Sequence, residues 1–408
     1  MRYWRKHIMQ WKNAQILADI YNEVLGEEES LTIRAIQRME KHDKVPMDHK
    51  RRLLLATILN IPPAYFGLTN LTPYTLPADM VQGVLQPDKV IDIAGYRAQL
   101  SEYWIKWTTY NVQDVLTDIL TRIYTLQETI LYGKQSQRES IIFLLCQYLV
   151  LYGNIRRDQG YSDIAITYLD KAITLANEKG YSELAAKASY FKGYAQFDKW
   201  GIQFDRETNR LNLQLAANSF QAAWHFVEVE RKAFNGPLRS AIIAEKGLVE
   251  AYQAQSASEK TIALKTIDQA STVLQRKDYQ RDKHFVYVND EWYHIDKAEG
   301  YVALGWGQSA IHELDAVDRS NPLTRRRYIY TDIVEADAYL AEDHLDMAIA
   351  CAENALDLLA GQQLFIFITR IANIYRRLLA DEKYMRSPDV ARLGGKLLKV
   401  QHAALFRD

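Results

Sequence analysis

A short spacing rule recurs along the C-terminal three quarters of the chain, and it restricts the fold more than any other feature. Alanine, a large apolar residue and a second alanine stand at steps of four and three. The copies are Ala165, Leu169, Ala172; Ala216, Phe220, Ala223; and Ala263, Ile267, Ala270. Ala348, Ala352, Ala355 repeats the spacing with a small middle residue, and Ala310, Leu314, Val317 is a degenerate copy. Such steps keep side chains on one face of a helix. Ahead of each triplet lies a small residue: Gly153, Gly193, Gly247, Gly300 and Ala336. Two antiparallel helices pack tightly only where small side chains let the backbones approach, and a large residue then fills the space between them. A single hairpin of this kind cannot bury its apolar face, so the copies are expected to stack.

The first copy, with Gly153, Gly160, Ala165, Leu169 and Ala172 at steps of seven, five, four and three, resembles the tetratricopeptide repeat. The resemblance implies a right-handed superhelical solenoid with the first helix of each pair lining a concave trough. Successive first alanines lie 51, 47, 47 and 38 residues apart, longer than the standard repeat of about 34. The extra length is expected between paired helices, at 199–211 and 255–261.

Proline placement divides the chain. Five of the nine prolines fall between Pro62 and Pro87, and none lies from Asp88 to Gly236. Because proline breaks helix interiors and pushes the preceding residue toward extended backbone, the region reads as a linker. The expected organisation is a compact domain over 1–70, a linker over 71–95 and a repeat domain over 96–408. Strand signals are scarce; the segment HFVYVNDEWY from His284 is the best candidate and merges into a helical pattern. The fold class is all-α.

Residues 12–68 resemble the helix-turn-helix domain of bacterial repressor-like regulators. The resemblance rests on Gln15-Ile16-Leu17-Ala18, on TIRAIQRME from Thr32 to Glu40 as a recognition helix, and on KRRLLLATILNIPPAYFGL from Lys50 to Leu68 as the closing helices. Ala18 and Glu40 stand 22 residues apart against about fourteen in the family, so the turn is lengthened, and it carries Glu27, Glu28 and Glu29. Met39 replaces the usual tryptophan. Residues 1–70 hold eleven Lys and Arg against eight Asp and Glu, a mild surplus for phosphate contact. On a docked helix Arg34, Gln37, Arg38 and Lys41 share one side. Arg or Gln there can read base edges, while Lys41 and the cluster Lys50, Arg51, Arg52 grip backbone. The alternative is a solvated helix face.

Several classes are disfavoured. The net charge of -1 supplies no global field toward nucleic acid or membrane. The most apolar window, Ile141 to Leu151, is too short to span a bilayer. Cys146 and Cys351 read as small core residues of a reducing compartment, and the basic opening lacks the apolar run of a secretory signal, which points to the cytoplasm. No phosphate-binding loop, HExxH or paired CxxC occurs, and Glu291 with His294 is half of a di-iron motif without its second copy. Neither an enzyme activity nor a cofactor or metal is expected.

Taking each small residue as position eight of its repeat, positions two, five, nine and twelve face the trough. They are Gln147, Val150, Asn154 and Arg157 in the first copy, and Lys187, Tyr190, Tyr194 and Phe197 in the second. The third gives Ala241, Ala244, Leu248 and Ala251, the fourth His294, Lys297, Tyr301 and Leu304, and the fifth Tyr330, Ile333, Asp337 and Leu340. An asparagine amide can pair with both N–H and C=O of an extended peptide, and the cations can hold a carboxylate. A helix-turn-helix joined to long tetratricopeptide repeats resembles the RRNPP family of peptide-pheromone receptors. The resemblance implies a dimeric, quorum-sensing type of transcription regulator that binds a short peptide or protein segment in the trough and DNA through its first domain. The other open reading is a repeat scaffold, for example for a response regulator, whose first domain does not bind DNA.

Overall fold

The computed structural model describes residues 1–2, 5–6, 13–25, 30–42, 45–46, 48–59, 90–108, 115–132, 135–200, 206–229, 234–275, 282–320, 325–360, 362 and 364–405. Regular structure among them is entirely helical, and they fall into two compact units, Met1–Gln86 and Pro87–Asp408.

The first unit holds α1 (Ala14–Leu25), α2 (Ile33–His42) and α3 (His49–Ile58) around Leu17, Tyr21, Ile36, Leu54, Leu55 and Leu59. Short polar side chains start the helices. Asn13 accepts from the Gln15 amide, Thr32 from Ala35 and Asp48 from Arg51, each satisfying a donor that the first turn leaves free. The lengthened turn is clamped at its base, where the Asn22 amide both accepts from the Leu31 N–H and donates to its carbonyl. Glu40 at the end of α2 takes a two-pronged ion pair from Arg5, at 2.6 and 3.0 Å, almost fully buried.

The second unit contains α4 (Ile93–Thr108), α5 (Leu116–Tyr132), α6 (Arg138–Asp158), α7 (Ser162–Glu178), α8 (Ser182–Trp200), α9 (Arg206–Val229) and α10 (Gly236–Gln253). It continues with α11 (Ala257–Leu274), α12 (Asp290–Ala303), α13 (Gly307–Leu314), α14 (Arg325–Ala341), α15 (Leu345–Leu359), α16 (Phe365–Ala380) and α17 (Pro388–Leu405). From α5 onward each packs on the next, and α6, α10, α12 and α14 also touch the next helix but one. α4 opens at Ile93, within the stretch read as linker. The rest of that stretch, 71–89, lies outside the described residues, as do Ile61 to Leu68.

The small-residue rule explains the hairpins. The triplets are buried throughout, and a Cβ added to Gly153 would sit 2.8 Å from Leu169, one on Gly193 2.6 Å from Phe220, and one on Gly247 2.7 Å from Ile267. In each case the large residue of the following triplet fills the notch. Gly300 departs from the rule: its notch is filled by the same Ile267, on the preceding helix, rather than by Leu314. α12 packs on both neighbours, with Ile295 and Ala298 against Ala310 and Leu314.

Two expectations about the connections change. No insertion separates α10 from α11, because Ser256 and Glu259 form a reciprocal cap that starts α11 at Ala257. Between Lys199 and Leu211 much of the added length is helix, since α8 runs to Trp200 and α9 opens at Arg206. The strand candidate is irregular and unpaired from His284 to Asn289, with Phe285 and Tyr287 at positive φ, and the Asn289 side chain caps α12. No strand occurs among the described residues. Nor is any helix there long and apolar enough to cross a membrane. Cys146 is buried and Cys351 half-buried, and burial pushes each thiol up to about 12.

The chain also folds back on itself. α16 touches α6, with Phe365 Cβ 3.3 Å from where a Cβ on Gly160 would lie.

Candidate functional site

Charged side chains in the second unit converge on a buried polar seam. Asn154, Arg157 and Asp158 occupy one turn of α6, and Tyr190, Tyr194 and Asp198 follow at steps of four on α8, which aligns them on one face. Arg157 pairs with Asp158 at 3.0 Å and Asp198 at 3.2 Å, and its guanidinium lies 4.9 Å above the Tyr194 ring. The Tyr194 hydroxyl accepts from Tyr190 and donates to Glu245 on α10. Asp296 on α12 lies near enough to Glu245 for the two carboxyls to interact. One turn further along α12, Glu299 accepts from the hydroxyls of Tyr252 and Tyr330 and pairs with Arg370 of α16 at 3.1 Å.

The cations of α14 and α16 reach carboxylates near the other end of the unit. Arg326 lies 2.6 Å from Asp158 and 4.4 Å above the Trp107 ring, whose indole N–H donates to the same carboxylate at 2.6 Å. Arg370 comes within 3.9 Å of Asp198. Burial is the first cause of the electrostatics: it pushes the Asp198, Glu245 and Asp296 carboxyls up, and proximity to Glu245 raises Asp296 further. Two neighbouring buried carboxyls disfavour ionising together.

Among the polar groups along the seam without a hydrogen-bond partner are an amide and an ammonium. The Asn154 amide, fully buried, has neither its oxygen nor its nitrogen engaged. The Lys187 ammonium, equally buried, lies 4.4 Å from the centre of the Trp104 ring and 5.7 Å from that of Phe285 with no acceptor in reach. Burial pulls its pKa down to about 7, against a small opposing effect of Asp282. A buried amide or ammonium left unpaired costs free energy that an outside acceptor or donor can recover.

The sequence-derived trough residues divide. Asn154, Arg157, Lys187, Tyr190, Tyr194 and Tyr330 belong to the seam, and Asp337 sits at its far side, paired with Arg377 of α16 at 2.5 Å. Gln147 is half-buried on α6. His294, Lys297 and Tyr301 do not face inward. His294 meets Glu313 at 2.6 Å and Lys297 meets Asp268 at 3.0 Å, both on outer helices, and Tyr301 lies against Trp306. Asp296 and Glu299, on another face of α12, meet the seam instead.

The open trough anticipated from the repeats is also absent at its first two copies, since Asn154, Arg157, Lys187 and Tyr190 are covered. Sequence reasoning missed Asp158, Asp198, Glu245, Arg326 and Arg370. Their signal was a charge on helices otherwise apolar, such as the lone carboxylate Glu245 in SAIIAEKGLV.

Among the described residues no group of three His, Cys, Asp or Glu side chains could hold a metal ion. In the first unit Arg34, Gln37, Arg38 and Lys41 are exposed along α2, and Arg51 and Arg52 are half-buried on α3. The Lys50 side chain lies outside the described residues. No protein-family model matches the chain, and no curated protein matches its sequence.

Proposed function

We propose that the chain is a transcription regulator in which the repeat unit senses a short peptide and the first unit binds DNA. The observation that carries this reading is Asn154: a fully buried amide with both hydrogen-bonding atoms vacant, one turn from Arg157, at a repeat position that the sequence aims at the trough and that is covered in this arrangement of the helices. An extended peptide backbone offers the donor and acceptor that such an amide lacks. The exposed row Arg34, Gln37, Arg38 and Lys41 supports the DNA half, as the outward side of a helix held by the buried Arg5–Glu40 pair. A ligand that binds one arrangement of the helices better than another shifts the population, and DNA affinity follows by linkage.

Mobility shifts against DNA upstream of the gene at stated salt, with and without short peptides encoded nearby, test this. Expected are a shifted band and a change in its midpoint with one peptide. Absence of any shift at ordinary salt, with calorimetric peptide binding intact, would favour a second reading. In that reading the repeat unit is an interaction scaffold and the first domain does not bind DNA. The adjacent carboxylates Glu27, Glu28 and Glu29 ahead of α2, which repel phosphate, favour it.

A further inference from the structure

Residues 282–289, ahead of α12, have no regular structure, yet they make some of the most specific contacts in the second unit. The strip bends at Lys283 and His284, and two of its aromatic residues, Phe285 and Tyr287, hold φ values of 56° and 55°. Bulky residues adopt that region only where surrounding contacts enforce it. The contacts are identifiable. Phe285 lies parallel on the Trp104 ring, 5.9 Å between centres and 7° between planes, and Tyr287 stacks on Trp107 at 6.3 Å. Asp282 accepts from the amides of His284 and Tyr287 and so fixes the bend. The His284 ring is buried and lies 3.0 Å from Glu183. The segment thus leaves α11, reaches back to α4 and α8 and lies across the same end of the seam as Lys187 and Arg326.

An aromatic wall, an unpartnered buried ammonium and a short irregular strip of chain laid across both is the arrangement of a receptor holding its own ligand. We infer that residues 282–289 are a built-in occupant of the seam, and that the site they fill takes from outside a short peptide bearing aromatic side chains and a carboxylate. Trp104 and Trp107 supply faces for two rings, as they do for Phe285 and Tyr287. Lys187 supplies a cation that the strip itself leaves without a hydrogen bond, and a carboxylate satisfies it. The strained φ values make the strip the weaker occupant, which is what exchange requires.

This inference deepens the peptide-sensing reading, and its test does not need DNA or the natural ligand. Phe285→Gly/Tyr287→Gly in the full chain removes both rings while glycine accepts the positive φ, so the backbone path is kept. The probe is a synthetic peptide of residues 282–289, Asp-Lys-His-Phe-Val-Tyr-Val-Asn, titrated by calorimetry. A site that is free only about a tenth of the time shows an affinity lowered about tenfold, so the variant should bind at least about tenfold more tightly than wild type. A second probe, Phe-Val-Tyr as its free acid and as its C-terminal amide, reads the cation: adding Lys187→Met should remove most of the preference for the acid. Tyr287→Gly alone, run in parallel, should show a smaller gain and serves if the double variant does not fold. Equal affinity in wild type and a folded variant overturns the built-in occupant, and equal binding of acid and amide overturns the carboxylate. Binding of the probe to the variant with no external peptide binding wild type would sink the receptor reading and leave this one standing.

Discussion

Lys187→Met should stabilise the protein at neutral pH and remove a specific part of its pH dependence. The ammonium is fully buried on Trp104 without an acceptor, and burial lowers its pKa from the ordinary 10.5 to about 7. By linkage that difference corresponds to about 5 kcal/mol. Because the folded pKa is the lower one, the unfolded chain holds the extra proton between about pH 7 and 10.5, and stability must rise with pH across that window. The penalty is complete below about pH 7, and about 2 kcal/mol of it is relieved by pH 9. Methionine fills a similar volume and carries no charge. Urea unfolding followed by circular dichroism at pH 7 and 9 should show wild type gaining about 2 kcal/mol more than the variant between the two. Equal gains would mean that Lys187 reaches solvent or an acceptor, and the reasoning fails.

Gly193→Ala forces a Cβ to within 2.6 Å of the Phe220 ring and should cost about 1–3 kcal/mol in thermal unfolding. Gly395→Ala, where a Cβ meets nothing within 4 Å inside α17, should instead stabilise by roughly 0.5–1 kcal/mol. Asn154→Leu removes two unsatisfied atoms, so stability should hold or rise by about 1 kcal/mol while peptide affinity measured by calorimetry disappears; a fall in stability with affinity intact refutes the role given to the amide. Arg38→Ala, at an exposed position of α2, should weaken DNA binding and lower the salt slope by about 1, whereas an unchanged slope places α2 away from the phosphates.

Much of the local architecture could be read from residue spacing. Alanines and large residues at steps of four and three must share a helix face, and a glycine opposite them must admit Leu169, Phe220 or Ile267, because no other side chain leaves the room. The tight turn after α6 is also local: Gly160 takes a φ of 81°, and the Tyr161 N–H donates to the Arg156 carbonyl at 2.9 Å. Asp343 occupies the same kind of turn at a φ of 64°, where spacing alone gave no glycine to read. What periodicity cannot say is which neighbour a given face meets. Gly300 carries the same helical signal as Gly247, yet its notch is filled by Ile267 of the preceding helix. On α12 Asp296 and Glu299 meet the seam, whereas His294 and Lys297 pair with Glu313 and Asp268. The closure of Arg326 on Asp158 and Arg370 on Glu299, and the laying of Phe285 and Tyr287 on α4, join residues far apart in the chain. The helical period fixes angles within one helix, and only the folded whole sets the distance between charges and rings carried on different ones.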